Sequence, residues 1–305
     1  MAAAAETASP IRAILWAFGA NLGIAVAKLV AALTTGSSAM LAEAIHSCAD
    51  SGNQLLLLLG LRQAQRPPDA EHPLGYGKDI YFWSFIVALL LFSMGGMFSI
   101  YEGLHKLDSS EPLAKPWVAL LVLGVSIGLE ALSMRGCLAE VKHLRGGRSL
   151  WRWLNESRNS ELVVVFGEDF AALVGLVIAF AFVVLASVTG DLRFDAFGSL
   201  AIGVLLVAVA IFVATRVKRM LIGRSADPAV VARIEAELGA DPAVRELYRV
   251  ITIQIGSEIM LAAKIRMREG LSIDAACVEI NRLERRLKEL VPELRWSFVE
   301  PDVED

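Results

Sequence analysis

Charge is scarce in this chain. Only 20% of its 305 residues are Asp, Glu, Lys or Arg, against roughly 25% in an ordinary soluble domain. With 55% apolar residues the chain is no disordered polar segment. A net charge of −4 and a pI of about 5.7 leave no basic field for nucleic-acid phosphates, so no nucleic-acid partner is expected. The three cysteines, Cys48, Cys137 and Cys277, are far apart and form no C-x-x-C pair, which excludes a disulfide framework and a thiolate zinc site. Only four histidines occur (His46, His72, His105, His143), all in the first half, and no H-E-x-x-H hydrolase motif is present.

What the chain has instead is long apolar runs, with a mean hydropathy of +0.55. A spanning helix needs about 20 such residues to cross about 30 Å of hydrocarbon. Six stretches meet that need, at about 11–34, 38–61, 80–104, 117–138, 162–187 and 194–215. The first has no small-residue cleavage site behind it and reads as a retained helix. One set of connections carries Arg62, Arg66 and Lys78, then Lys142, Arg145, Arg148, Arg152 and Arg158, then Arg216, Lys218, Arg219 and Arg224. The opposite set carries only Lys106, Lys115 and Arg193. Positive charge belongs on the cytoplasmic side, so both termini are expected there, in a multi-pass protein of the cell (inner) membrane.

Past about residue 225 the character changes. Asp227-Pro228 opens a helix through Leu238, and Ile251–Ile255 alternates as a strand. Leu261–Met267 reads as a second strand, Ile273–Leu290 as an amphipathic helix and Trp296–Val299 as a short last strand. The expected organisation is a six-helix membrane domain over 1–219 and a small α+β domain over 220–305. A tail of this size is marginal alone, so pairing of two copies is expected.

Acids and histidines are costly in hydrocarbon, so each is a functional candidate. His46 and Asp50 are four apart in the second span, hence on one helix face about 5–6 Å apart at Cβ. Glu43 lies one turn earlier and Asn53 one turn later. An imidazole and a carboxylate so placed can share a divalent cation. The fifth span carries Glu168-Asp169, and neighbours on a helix point about 100° apart. Asn21, Lys28, Glu102 and Glu130 are further embedded polar groups, and Gly95, Gly96, Gly124, Gly128, Gly175, Gly198 and Gly203 suit close helix approach.

The run Ser38-Ala39-Met40-Leu41-Ala42-Glu43-Ala44-Ile45-His46-Ser47-Cys48-Ala49-Asp50 resembles the second span of cation diffusion facilitators, with its H-x-x-x-D ligands. Pro68-Asp69-Ala70-Glu71-His72-Pro73-Leu74-Gly75-Tyr76-Gly77-Lys78 is similar to that family's D-x-x-H-P-x-G-x-G-K loop. The resemblance covers nearly the whole chain and implies a tail of ferredoxin-like character and a parallel homodimer. It places a first fifth-span ligand at Val165, which cannot bind metal. Glu168 is the expected replacement, as in the branch similar to the mitochondrial zinc-transporter-9-like proteins. Where some members have a loop histidine this chain has Tyr76, leaving Asp69 and His72 as a weaker candidate pair.

The family resemblance implies export of a divalent cation, Zn²⁺ or else Mn²⁺, Fe²⁺ or Co²⁺, in exchange for protons. The expected ligands are His46, Asp50, Asp169 and Glu168, with Glu43, Asp69 and His72 as weaker candidates. No resident cofactor and no enzymatic activity are expected. Metal and protons compete for the same deprotonated groups, which permits such coupling. The rival readings are a metal-binding sensor or scaffold, and an intramembrane metal-dependent hydrolase with Glu168 as base.

Overall fold

The computed structural model describes residues 10–35, 38–108, 116–191 and 193–304, without the side chains of residues 10, 31, 32, 34, 35, 38–46, 49, 108 and 116. Helices α1 (Pro10–Thr35), α2 (Ser38–Ala64), α3 (Asp79–Leu90), α4 (Phe98–Asp108), α5 (Pro116–Leu144), α6 (Leu150–Glu156), α7 (Ser160–Thr189) and α8 (Arg193–Ile222) come first. A π-helical turn, Leu91–Met97, joins α3 to α4 into one long element. Among the described residues five helical stretches are long and apolar enough to cross a membrane: Ile11–Val30, Asp79–Leu107, Trp117–Leu144, Ser160–Thr189 and Arg193–Ile222. The sixth long helix, α2, has 27 residues, or about 40 Å at 1.5 Å per residue, and carries the polar residues of the expected second span. The chain is thus an integral membrane protein of six long helices followed by a small α+β domain.

Two compact units form. The first takes 1–62, 82–155 and 160–217; the second takes 63–81, 156–159 and 218–305. Within the first unit α1 packs on α5 and α7, and α5 packs on α7. Small residues set one crossing: a Cβ built on Gly96 would lie 2.6 Å from Val207 Cγ2, and one on Gly203 would lie 2.8 Å from the Ile100 nitrogen. Gly95 and Gly198 also sit tightly, against Leu206 and Phe182, and Gly175 is in ordinary contact with Ile202. Gly124 and Gly128 have no neighbour within 4 Å of such a Cβ, so the close approach expected there is not seen among the described residues.

In the second unit, α9 (Pro228–Ala240), β1 (Val244–Ile255), β2 (Glu258–Met267), α10 (Ile273–Leu290) and β3 (Leu294–Pro301) follow in order. Asp227 caps α9 by accepting from the Ala229 amide, with Pro228 at the first helical position, and Ser272 caps α10. β1 and β2 form an antiparallel hairpin; β3 returns through α10 to pair parallel with β2. A parallel pair with a helical crossover beside a hairpin is the ferredoxin-like pattern lacking its first strand. Ile234, Leu238, Leu261, Ile265, Leu283 and Leu287, all fully covered, form its core between helices and sheet. Ile251, Ala262 and Phe298 are register partners in a row across the three strands. Ile251 and Phe298 are 48% and 57% exposed, so the sheet face they share is bare in the single chain.

The connections 63–81 and 156–159 belong to this second unit. Gly77 presses on the hairpin turn: a Cβ there would stand 2.6 Å from the Ile255 carbonyl oxygen. Gly256, at φ +61°, meets the Gly77 oxygen in return, a conformation and spacing that suit only glycine. The Tyr81 hydroxyl donates to the Gly256 carbonyl (3.2 Å). Arg158 donates from Nε to the Ser225 carbonyl (2.8 Å) and from its terminal nitrogen to that of Ala226 (2.7 Å).

Candidate cation site

The first unit buries a polar layer that its helices cannot leave facing lipid. From α1 come Asn21 and Lys28; from α2 Ser47, Ser51, Asn53 and Gln54; from α5 Ser126, Glu130 and Ser133; from α7 Glu168 and Asp169, all at most 9% exposed. Asp50, half-buried on α2, acts electrostatically on Glu130 and on Glu168.

Glu168 and Asp169 diverge as adjacent helical residues must. Glu168 turns to α2, where Asn53 Nδ2 donates to its Oε1 (2.8 Å) and Gln54 Nε2 to its Oε2 (3.1 Å). Asn21 Nδ2 donates in turn to Gln54 Oε1 (3.3 Å), fixing which end of that amide faces the acid. Asp169 turns to α5, where Ser133 Oγ donates to its Oδ2 (2.8 Å). Val165, fully buried, supplies only packing at the position where a ligand is absent. Lys28 donates to Ser47 Oγ (3.0 Å), so it neither snorkels nor reaches solvent.

The expected ligands therefore stand around one layer without closing on a point. Among the described residues no three His, Cys, Asp or Glu side chains come together at metal-holding range. The side chains of His46 and Glu43 lie outside the described residues. Asp50, Glu130, Glu168 and Asp169 are four acids in this layer against one cation, Lys28, whose ammonium acts on Glu130. The surplus is negative, which favours cations, whether metal ions or protons.

The loop pair is engaged elsewhere. Asp69 Oδ1 accepts from the Glu71 and His72 amides (3.0 and 2.8 Å), and its Oδ2 accepts from the Tyr76 hydroxyl (2.6 Å). The Tyr76 hydroxyl, then the backbone amides, hold the Asp69 carboxyl below its usual range, and the same bond raises the Tyr76 phenol. The His72 ring lies on Tyr76 with centroids 4.2 Å apart, and Arg66 covers the ring from 4.2 Å. This is a folded loop with its carboxylate already satisfied.

Gln54, Asn21 and Ser133 were not among the expected site residues. A buried amide next to an apolar Leu55–Leu59 run is the sequence signal that points to Gln54. Ser133 gives none, because serines recur throughout transmembrane helices as packing residues.

The profile of the cation efflux transmembrane domain matches residues 14–222, a stretch running from within α1 to the end of α8. The chain belongs to the cation efflux family. It is 36% identical over 280 residues to the mitochondrial proton-coupled zinc antiporter SLC30A9 of Xenopus laevis, covering 91% of this chain and 49% of that one. To the human protein of the same name the identity is 33% over 264 residues, 85% of this chain and 45% of that one. To metal tolerance protein C4 of Arabidopsis thaliana it is 32% over 280 residues, 91% and 60%. The chain thus spans about half the length of the curated relatives it matches. The family's description and the names of the zinc antiporters are those of transporters, not enzymes. One sequence pattern has an enzyme's spacing: Gly124-Val125-Ser126-Ile127-Gly128 matches the G-x-S-x-G of a nucleophile elbow. It lies inside α5, not on the strand-to-helix turn that exposes such a serine.

Proposed function

We propose that the protein carries a divalent metal cation, Zn²⁺ foremost, across a membrane in exchange for protons. The observation that carries this reading is the buried acids of α5 and α7 beside the half-buried Asp50 of α2, in a chain of the cation efflux family. His46, Asp50, Asp169 and Glu168 are the proposed ligands, Glu43 an auxiliary one. Asp69 and His72 are assigned to holding their loop. Mn²⁺, Fe²⁺ and Co²⁺ suit the same nitrogen-and-oxygen donors. In the conformation described, Glu168 rests on Asn53 and Gln54, and Asp169 on Ser133; binding exchanges those bonds for the ion, and helix rocking opens the site to the other side. His46 is the natural carrier of exchanged protons, histidine being the side chain whose charge ordinarily changes between pH 5 and 8.

Residues 1–219 serve as the transport domain and 220–305 as a cytoplasmic domain, both termini being cytoplasmic by loop charge. The zinc antiporters that the chain resembles carry "mitochondrial" in their names. We place this chain in the inner membrane of a cell, with the orientation that its loop charge gives. The protein pairs through the bare sheet face around Ile251 and Phe298, where a twin would cover the apolar row. Mass measurement in mild detergent is expected to give a dimer; a monomer with and without metal contradicts it.

Sealed proteoliposomes test the transport reading. Zn²⁺ supplied outside is expected to accumulate inside, with other divalent ions compared in parallel. A sensor, a scaffold or a hydrolase predicts no accumulation of any of them.

A further inference from the structure

Glu130 is the buried acid that the proposed ligand set leaves unused. It stands at the middle of the 29-residue α5 and is 2% exposed, covered by protein rather than left to lipid. Its Oε2 accepts no hydrogen bond among the described residues. One turn earlier Ser126 is fully buried, and its Oγ is likewise without a partner. One turn later Ser133 holds Asp169. Residues 126, 130 and 133 share one helix face, and Asp169, Asp50 and Lys28 all act on the Glu130 carboxylate.

Two orphaned oxygens one turn apart, both deep in the unit, are a rare liability in a folded protein. An apolar side chain of Glu130's size would fill the same space without stranding a polar group. A role in packing therefore does not account for the acid. A hard cation does, because carboxylate and hydroxyl oxygens are donors it accepts. We propose that Glu130, with Ser126 beside it, is a cation-binding subsite that α5 adds to the acids of α2 and α7. The inference rests on the transport site proposed above and extends it to a third helix. It gives the ion an oxygen donor on α5 before Glu168 has left its amides.

The test uses the full chain in detergent, titrated calorimetrically with Zn²⁺ and with Mn²⁺, and melted with and without metal. Glu130→Gln keeps size and hydrogen-bonding capacity but removes the charge, and is expected to bind at least tenfold more weakly. Glu130→Met is expected to melt above the wild type without metal, since it removes a stranded carboxyl, and to lose the rise in melting temperature that metal gives. Wild-type affinity in Glu130→Gln overturns the subsite. So does a Glu130→Met protein that melts lower yet keeps the full rise with metal, the result that a packing role requires. Asp169→Asn run alongside separates the two levels. If it binds as wild type, the transport site itself is wrong. If it loses binding while Glu130→Gln does not, only the α5 subsite fails.

Discussion

Replacing Asp169 by alanine is expected to bring metal uptake down to the level of empty vesicles, a loss of at least about 100-fold, or about 2.7 kcal/mol of lost stabilisation. The side chain is 2% exposed, and among the described residues only Ser133 bonds it, through Oδ2, so Oδ1 remains for an ion. Asp169→Asn is the sharper variant. Its amide oxygen can still accept from Ser133, and its shape is unchanged, yet it has no charge with which to hold a divalent ion. It is expected to be as inactive as the alanine variant, while expression and dimer mass stay those of the wild type. Asp50→Ala is expected to behave alike, for the same loss of an anionic donor. Uptake at the wild-type rate in either variant would place the site elsewhere.

Gly203→Ala is expected to deplete folded protein, although alanine is the better helix former. The added methyl would sit 2.6 Å from Ile100 Cγ1, 2.8 Å from the Ile100 nitrogen and 3.0 Å from the Gly96 carbonyl oxygen. Two of those atoms are backbone, so the helices themselves must separate. Overpacking that a side chain could relieve costs about 1–3 kcal/mol, and this one has no such relief. Size-exclusion chromatography after solubilisation is expected to show mostly aggregate. Gly175→Ala is the matched control: its methyl would meet Ile202 Cγ2 at 3.6 Å, an ordinary contact, and the protein should elute as the wild type does. Equal behaviour of the two variants would mean that the Gly96–Gly203 crossing does not hold the unit together.

The elements that show in the sequence are those whose pattern is local. The apolar face of α10 repeats over Ile273–Leu290, and both bounds agree with the observed helix. The hairpin and last strand are there too, each longer at its ends than the alternation suggested, because pairing carries β1 back to Val244 and β3 on to Pro301. α6 escaped notice because seven residues with two tryptophans have no readable period. The π-helical turn at Leu91–Met97 is invisible for another reason: it changes the turn, not the composition. At the site, the acids announced themselves by their cost in hydrocarbon. Their partners did not, since the pairing of Glu168 with Asn53 and Gln54 joins residues more than a hundred positions apart. The loop taken from the family resemblance shows the limit of motif reading. Asp69 is in place, but its second oxygen accepts from the Tyr76 hydroxyl and is no longer free to bind an ion.

The claim that one set of groups serves metal and protons in turn is tested most directly by the proton leg of transport. Purified protein is sealed into vesicles holding a pH-sensitive dye, with equal pH on both sides, and Zn²⁺ is added outside. Exchange predicts that the interior becomes alkaline as metal enters, at a rate that follows metal uptake, and that Asp169→Asn abolishes both signals together. Zinc accumulation with an unchanged interior pH would contradict it.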